Sequence, residues 1–271
     1  MNKGIYIATS GAIAQEKLFD IVANNLANKN TVGFKKDDLI FSSMLPLTAR
    51  NYEPSFFEDN TQEWPYVANG QQIRFADFGL NFTDFSPGRL IATESPLDIA
   101  MLGDGYFTIA TPHGPRYTRS GNFTIDALGR IVNQEGLPVI GMQGEINVGV
   151  PSLASMDTRN LIINPEGRIF AESEEQDTFI ELAQLYIVTF ANPNQLVKEA
   201  GTFFRYEGDP MDIQFSNAQV AQGYLEESNV DMFGSMIKMI ETIRGYEAYQ
   251  KAIQTFDDIN SYAIERLGRL G

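Results

Sequence analysis

The sequence predicts an α+β protein in which long helices at the two ends pair as a coiled-coil-like element and flank a central, mainly β domain. Apolar residues recur every three or four positions in the first 28 residues and again from residue 232 onward, and neither stretch contains a proline. Between about residues 85 and 205, short segments rich in β-branched and aromatic residues alternate with turn residues. The spacing of apolar residues is thus typical of helices at the ends of the chain and of strands in the middle.

The same patterns indicate where the domains begin and end. We expect a terminal helical assembly domain over residues 1–35 and 225–271, and a central β domain over residues 85–204. Extended connecting segments are expected over residues 36–84 and 205–224. A chain of 271 residues is long enough for one large domain or two ordinary ones.

The N-terminal helix is predicted from a single apolar stripe. Its positions follow a three-four spacing, and only Gln15 among them is polar. A face of this kind packs either on the protein's own core or on another helix. The candidate assembly residues on this face are Ile5, Ala8, Ala12, Phe19, Val22 and Leu26.

The C-terminal helix is predicted to be longer. Ser228, Asn229 or Asp231 can cap its first amide groups, and no proline follows before the chain ends. A helix of about 38 residues would extend roughly 57 Å, which exceeds the diameter of a compact domain of this size. Its apolar face has to be covered by the protein's own core, by the other terminal helix or by other subunits. The candidate assembly residues here are Met232, Met236, Met239, Ile243, Tyr246, Ile253, Ile264 and Leu267.

Composition excludes several classes of function. The chain has no cysteine and one histidine, His113, which excludes disulfides, thiolate nucleophiles, zinc fingers and iron–sulfur clusters. Its formal charge of −15 would repel a phosphate backbone, so we expect no nucleic-acid partner. The apolar runs are far shorter than the roughly 20 residues that cross a bilayer, and no cleavable signal peptide is recognisable. We expect no membrane insertion, no metal and no cofactor.

The central region shows hairpin signals and no catalytic arrangement. Gly129 follows Asp126-Ala127-Leu128 and Gly167 follows Asn164-Pro165-Glu166, and each turn sequence predicts a hairpin with a bulge. Gly103-Asp104-Gly105 lacks the spaced carboxylates of a calcium loop and the lysine of a P-loop, so we interpret it as a tight turn. Acidic residues are numerous, but no pair forms a recognisable acid–base constellation. We therefore expect that the protein is not an enzyme.

An asparagine-rich segment follows the N-terminal helix. Four asparagines occur within residues 24–30, and asparagine suits a helix terminus and the turn after it. Gly33 is free to adopt positive φ, and Phe34 can anchor the chain where it leaves the turn. The motif residues are Asn24, Asn25, Leu26, Asn28, Thr31, Gly33 and Phe34.

Both ends of the chain resemble the bacterial flagellar rod and hook protein family. The N-terminal matches are Gly4-Ile5-Tyr6, Ser10-Gly11, Ala23-Asn24-Asn25-Leu26-Ala27-Asn28, Thr31 and Gly33-Phe34-Lys35. The C-terminal matches are Gln222-Gly223-Tyr224-Leu225-Glu226, Ser228-Asn229-Val230-Asp231, Met239-Ile240-Glu241-Thr242, Arg244-Gly245-Tyr246-Glu247-Ala248 and Lys251-Ala252-Ile253. The chain departs from the family at Gly245, where alanine is more usual, and over residues 45–75 with Trp64, which match no family pattern.

The middle of the chain is similar to the basal-body rod proteins in particular. The similar segments include Ser95-Pro96-Leu97-Asp98-Ile99-Ala100, Gly103-Asp104-Gly105-Tyr106-Phe107 and Tyr117-Thr118-Arg119. Within this family, residues 111–119 look closer to the proximal-rod F-type than to the distal-rod G-type.

The resemblance implies a structural subunit of the flagellar basal-body rod. Such a subunit is exported unfolded by the flagellar type III apparatus, without a cleaved signal peptide, and polymerises through its terminal helices into the axial drive shaft across the periplasm. The implied partners are further copies of itself, other rod and hook-family subunits and the export apparatus. Two alternatives stay open: a monomeric binding module whose β domain holds a ligand on a helical scaffold, and a hydrolase with clustered carboxylates.

Overall fold

The computed structural model describes residues 3–39, 42–44, 75–77, 81–148, 161–173, 178–199 and 201–268. It confirms the α+β class, because two helices lie toward the ends of the chain and the region between them is mainly β. Helix α1 spans Lys3–Ala27 and helix α2 spans Met232–Gly268. Residues 45–74, which include Trp64, lie outside the described residues.

Local capping sets the helix boundaries. Of the three residues that could cap α2, Asp231 does so: its Oδ1 accepts a hydrogen bond from the Phe233 amide at 3.1 Å. At the end of α1, the Asn28 amide and side chain both donate to the Asn24 carbonyl, at 3.1 and 2.9 Å. These bonds satisfy a carbonyl that the end of a helix otherwise leaves free. Helix α2 comprises 37 residues, close to the predicted length.

The described residues contain 21 strands, most of them short. In chain order they are β1 (Asp37–Leu39), β2 (Ser42–Met44), β3 (Phe75–Asp77), β4 (Asn81–Thr83), β5 (Leu90–Ala92), β6 (Ile99–Leu102), β7 (Tyr106–Thr111), β8 (Gly114–Thr118), β9 (Thr124–Ile125), β10 (Ile131–Val132), β11 (Ile140–Gly141), β12 (Gly144–Glu145), β13 (Leu161–Ile163), β14 (Arg168–Ser173), β15 (Thr178–Gln184), β16 (Ile187–Phe190), β17 (Leu196–Lys198), β18 (Phe203–Tyr206), β19 (Ile213–Phe215), β20 (Gln219–Gln222) and β21 (Tyr224–Glu226).

Among the described residues, the largest sheet is antiparallel and six-stranded, with the strand order β17-β18-β8-β7-β16-β19. A second sheet has the order β13-β14-β15, and the other strands pair two by two: β1 with β4, β2 with β3, β9 with β10, β11 with β12, β20 with β6 and β21 with β5. The pairing of β20 and β21 with strands near residue 100 satisfies their backbone groups. Residues 219–222 and 224–226 are therefore strands.

Both predicted hairpin turns are present. Gly129 and Gly167 each have a φ of 77°. The Gly129 amide donates to the Asp126 carbonyl at 3.0 Å, and the Gly167 amide donates to the Asn164 carbonyl at 2.9 Å. The turns join β9 to β10 and β13 to β14, which pair antiparallel. Glycine adopts positive φ without steric cost, which explains its place in both turns.

Two clusters of buried side chains form the core of the β region. The larger is mainly aliphatic and includes Ile99, Ile109, Ile131 and Val139, each at most 1 % exposed. The smaller is mainly aromatic, and its members are Tyr106, Tyr117, Val188, Phe190, Leu196 and Phe204. Its rings pack on one another, as in the edge-to-face contact of Tyr117 with Phe190 at 4.8 Å between centroids.

The chain divides into two compact units. The helical unit comprises residues 1–23, 38–82 and 236–271, as far as these are described, and the β unit comprises residues 24–37 and 83–235. Within the β unit, β20, β21 and the segment after α1 form hydrogen bonds to other parts of the same unit. Among the described helices, none is long and apolar enough to cross a membrane.

Candidate assembly site

Helix α1 buries a face of small and aliphatic side chains within the helical unit. Small side chains at a contact allow two helix axes to approach closely. Leu18 is the largest buried side chain of this face, at 8 % exposure. The predicted assembly residues divide between two classes: Ala8, Ala12 and Val22 are buried, whereas Ile5, Phe19 and, in the β unit, Leu26 are half-buried.

Helix α2 presents apolar side chains on more than one face. Among the α2 side chains that the structure describes, the buried one is polar: Thr242 is 2 % exposed, and its hydroxyl donates to the Lys238 carbonyl at 2.7 Å. A threonine can occupy such a position because the helix backbone satisfies its hydroxyl. Of the predicted assembly residues, Met232, Met239, Tyr246 and Ile253 are half-buried, Met236 and Ile243 are exposed, and Ile264 and Leu267 lie in α2 with side chains outside the described set.

Two glycines of α1 lie directly under aromatic rings of α2 inside the helical unit. A methyl group on Gly11 would stand 2.4 Å from a ring carbon of Tyr249. A methyl group on Gly4 would stand 2.6 Å from a ring carbon of Phe256. Carbon atoms in contact are normally about 3.5–4.0 Å apart, so these rings fill the space that a side chain on α1 would need.

A stripe of large apolar side chains on α2 is exposed. It consists of Met236, Ile237, Ile240 and Ile243, whose exposed fractions are 43, 59, 53 and 41 %. Residues three and four apart lie on one side of a helix, so the four side chains form one continuous surface. Complete burial of such side chains stabilises a structure by about 1.5–3 kcal/mol each. A contiguous apolar surface of this kind is typical of a site where another protein surface packs.

In the β unit, the asparagine-rich motif acts through side-chain amides. Asn25 is 7 % exposed; its nitrogen donates to the Asp37 carbonyl at 2.7 Å, and its oxygen accepts from the Asp37 amide at 2.9 Å. One side chain thus satisfies both backbone groups of Asp37, as a neighbouring strand would. Asn229, which precedes α2, accepts from the Lys36 amide at 2.7 Å and donates to the Asp84 carbonyl at 2.8 Å. Two amides therefore hold the segment that follows α1.

The turn after α1 depends on Gly33. Its φ is 69°, and its amide donates to the Glu226 carbonyl at 2.8 Å. A Cβ atom here would stand 2.4 Å from the backbone nitrogen of Ser120, so only glycine permits this approach. Before the turn, the Thr31 hydroxyl donates to the Asn28 side chain at 3.2 Å.

Phe34 packs into the β unit immediately after the turn. Its ring is 1 % exposed, and the Lys198 ammonium lies 3.6 Å from the ring centroid. The same ammonium donates to the Lys35 carbonyl at 2.6 Å and to the Asp37 carboxylate at 3.0 Å. Burial lowers the pKa of Lys198, and the Asp37 charge opposes this effect. Among the motif residues, Asn24 is exposed.

A buried group of charges connects the two terminal motifs within the β unit. Lys35 and Glu226 are 1 % and 2 % exposed, and Lys35 Nζ lies 2.5 Å from Glu226 Oε1. The Lys35 ammonium also donates to the Ser86 carbonyl at 2.8 Å, and the Gly88 amide donates to Glu226 Oε1 at 2.8 Å. Arg119, which is 5 % exposed, places Nη1 3.6 Å from Glu226 Oε2. We call Lys35, Arg119 and Glu226 the buried ion cluster.

The buried ion cluster holds two cations and one carboxylate away from water. Burial lowers the pKa of Lys35, and the Glu226 carboxylate acts in the opposite direction. Arg119 donates to the Gly103 carbonyl at 2.9 Å and lies 5.1 Å from the Tyr106 ring centroid. Burial raises the pKa of the Tyr106 phenol to about 12, so it is neutral beside these charges. Since an unpaired buried charge is costly, each member of the cluster depends on the others.

The site residues predicted from the sequence do not include Lys35, Arg119, Glu226 or Asn229. A signal was present, because Lys35, Glu226 and Asn229 lie within the two terminal motifs. A charged residue inside such a motif is a candidate for a buried ion pair. The pairing itself spans 191 positions of the chain, however, and only the fold brings the two side chains together.

Comparison with known protein families gives three matches along the chain. The model of the flagella basal body rod protein matches residues 5–35. The D1 domain of the flagellar hook protein FlgE/F/G matches residues 100–171, and the C-terminal region of the flagellar basal body rod FlgEFG protein matches residues 221–266. The N-terminal and C-terminal matches contain the motif residues and most of both helices.

Whole-length relatives agree with these matches. The chain is 31 % identical over 269 residues to the flagellar basal-body rod protein FlgG of Bacillus subtilis, across 96 % of this chain and 97 % of the relative. It is 30 % identical over 271 residues to the flagellar basal-body rod protein FlgF of Rhizobium meliloti, across 99 % of both chains. The chain therefore belongs to the bacterial flagellar basal-body rod protein family.

Proposed function

We propose that this protein is a structural subunit of the flagellar basal-body rod and polymerises through its terminal helices into the axial drive shaft. The exposed stripe of Met236, Ile237, Ile240 and Ile243 carries this proposal. In a rod, helices of neighbouring subunits would cover that stripe. A contact between different patches on successive subunits need not close on itself, and it then generates a helical tube.

Within each subunit, α1 and α2 pair as a coiled-coil-like element. The positions of Tyr249 over Gly11 and of Phe256 over Gly4 support this pairing. The partners are further copies of the protein, other rod and hook-family subunits and the flagellar type III export apparatus, which passes the chain unfolded and without cleavage of a signal peptide. The absence of cysteine suits a chain that is exported unfolded, because it cannot form wrong disulfides on the way. The protein works by packing in the periplasm-spanning rod and has no enzymatic role.

Within the family, we favour the F-type of the proximal rod over the G-type of the distal rod. The support is the sequence of residues 111–119, which includes the turn between β7 and β8 and, at the start of β8, Gly114 with a φ of 103°. Relatives named FlgG and FlgF are similar to this chain at nearly equal identity, 31 and 30 %. Electron microscopy of flagellar bases that contain a tagged copy tests the subtype: a tag at the distal end of the rod would contradict it.

Ile243→Asp tests the assembly function. A carboxylate in the apolar stripe would lose its hydration in the contact without gaining a partner, so we expect assembly to fall at least about tenfold and motility to be lost. Leu26→Asp, at the end of α1, is expected to block assembly in the same way. Sedimentation measures assembly, a swimming assay of a complemented deletion strain measures motility, and circular dichroism verifies that the β unit remains folded.

Gln254→Asp is the matched control for Ile243→Asp. It places the same charge on an exposed polar position of the same helix. Assembly and swimming of this variant are expected to equal those of the unmodified protein. Normal assembly and motility of Ile243→Asp would instead show that the stripe is not a subunit contact.

A further inference from the structure

We propose that Gly4 and Gly11 set the register between α1 and α2, because each seats one aromatic ring of the opposite helix. The inference deepens the proposed function and rests on it, since it specifies how the terminal helices of one subunit are aligned when the rod forms. It assigns the glycines a role in alignment, where a helix would ordinarily favour alanine. We call the pairs Gly4–Phe256, Gly11–Tyr249 and Gln15–Gly245 the register contacts.

The three register contacts follow one antiparallel alignment. From Gly4 to Gly11 the chain advances seven residues, and the opposing residues retreat by seven, from Phe256 to Tyr249. Four residues farther along α1, Gln15 opposes Gly245, which lies four residues before Tyr249 in α2. Steps of seven and four return to the same side of a helix, so the three contacts lie on one line between the two helices.

The roles of the two helices alternate along this line. At Gly4 and Gly11, α1 supplies the space and α2 supplies the ring. At Gly245, α2 supplies the space, and a methyl group there would stand 3.1 Å from the Gln15 side chain.

The backbone conformation does not demand glycine at these positions. Gly4 and Gly11 lie inside helix α1, and neither is among the residues with positive φ. Helical φ and ψ are accessible to residues that carry a side chain. The useful property of Gly4 and Gly11 is therefore the missing side chain, whose place the rings of Phe256 and Tyr249 take.

Other alignments would lose this fit. If α2 moved by one heptad, Phe256 would oppose Gly11, but Tyr249 would then oppose the bulky Leu18. If it moved by one turn in the same direction, neither ring would oppose a glycine, because residues 8 and 15 are alanine and glutamine. Two rings and two glycines at equal spacing thus favour one register over its neighbours.

The register also decides which face of α2 points away from α1. With Tyr249 and Phe256 turned toward α1, the stripe formed by Met236, Ile237 and Ile240 with Ile243 is the exposed one. A change of register would rotate or shift this surface relative to α1. The glycines therefore act at a distance on the surface that we propose for assembly.

Thiol cross-linking in the full-length protein tests the register. The chain has no cysteine, so an introduced pair supplies its only thiols. In register, Ala8 opposes Ala252, and we expect Ala8→Cys with Ala252→Cys to react with a short bifunctional thiol reagent within one chain. Ala8→Cys with Ile259→Cys is one heptad, or about 10 Å, out of register and is expected to react at least about fivefold less. Denaturing electrophoresis separates cross-links within a chain from those between chains.

Variants of Gly11 test the cause of the alignment. Gly11→Leu should lower the cross-linking yield of the Ala8–Ala252 cysteine pair at least about fivefold, because the added side chain competes with the Tyr249 ring. Tyr249→Ala in the same chain should restore most of the yield by returning the space. Thr9→Leu places the same leucine side chain at an exposed position of α1 and should leave the yield unchanged.

The outcomes separate this inference from the proposed function. Any one of three results would overturn the register proposal. They are full in-register yield in Gly11→Leu, equal yields from the two cysteine pairs, and no cross-link within a chain in either the monomer or the assembled protein. Sedimentation of the same samples reports assembly independently. Normal assembly with cross-links out of register would contradict the register proposal and support the rod function. In-register cross-links without assembly would support the register proposal and contradict the rod function.

Discussion

Glu226 is the residue on which the buried ion cluster depends most. Its Oε1 accepts hydrogen bonds from the Lys35 ammonium and the Gly88 amide, and its Oε2 lies 3.6 Å from Arg119. Removal of Lys35 would leave one cation and one anion, whereas removal of the Glu226 charge would leave two cations. The cluster is therefore asymmetric, and the acid is its most sensitive member.

We expect Glu226→Gln to lower the free energy of unfolding of the β unit by about 3–5 kcal/mol, because two buried cations would remain without an anion. Urea denaturation followed by circular dichroism measures the change. Glu227→Gln is the neighbouring control: its partner Arg89 is 78 % exposed, and a surface pair of this kind contributes about 0–1 kcal/mol. Equal losses for the two variants would contradict a stabilising role of the buried ion cluster.

At the scale of secondary structure elements, charge pairs hold three neighbouring strands of the large sheet together. Glu199 follows β17 and lies 2.6 Å from the Arg116 side chain of β8 and 2.9 Å from the Arg205 side chain of β18. The hydrogen bond from Arg116, with the charges of both arginines, lowers the pKa of Glu199 below its ordinary value of 4.5. Folding therefore favours the ionised carboxyl at this position.

The lowered pKa of Glu199 predicts that the stability of the fold depends on pH. A carboxyl whose pKa is lowered in the folded state stabilises the fold above its unfolded pKa, and this contribution is lost as the pH falls through the folded pKa. We expect Glu199→Gln to lower the urea midpoint at pH 7, and the difference from the unmodified protein to shrink as the pH falls below 4.5. Glu135→Gln, in the exposed turn after β10, is the control with no expected effect. A difference that stays constant down to about pH 3 would contradict the assignment.

At the scale of the whole molecule, the two units differ in how far they bury their own apolar side chains. The β unit contains both buried clusters, whereas α2 in the helical unit exposes a stripe that includes Ile237 and Ile240. Isolated helices gain most of their stability from packing of the apolar face. Before assembly, the terminal helices therefore have less to stabilise them than the strands of the β unit.

We expect the terminal helices to be poorly ordered in a dilute monomer and to become ordered on association, at an entropic cost that keeps early association weak. Hydrogen exchange measures this: amides of residues 5–26 and 232–267 should exchange quickly in the monomer and slowly in the assembled rod. The strands β7 and β16 serve as the internal reference, because their amides should be protected in both states. Strong protection of both helices in the monomer would contradict the prediction.

Local features of the chain could be predicted from the sequence because they depend on neighbours within a few residues. Both helices follow from the three-four spacing and the cap at Asp231 from its oxygen next to a helical run. The turns at Gly129 and Gly167 follow from the turn sequences that precede these glycines. It was harder to predict which side chains of each helix are buried and which are exposed. Thr242 is buried and Ile243 is exposed, the reverse of what their polarity alone predicts.

The sequence by itself determined the α+β class, the two terminal helices, the hairpin turns and the resemblance to rod proteins. Tertiary structure decided which distant residues meet: Lys35 with Glu226, Asn229 with Lys36, and Tyr249 with Gly11. The reason is physical. Periodicity and turn chemistry act over one or two turns of chain, whereas burial of a charge or a ring requires a partner that only the folded chain brings within contact.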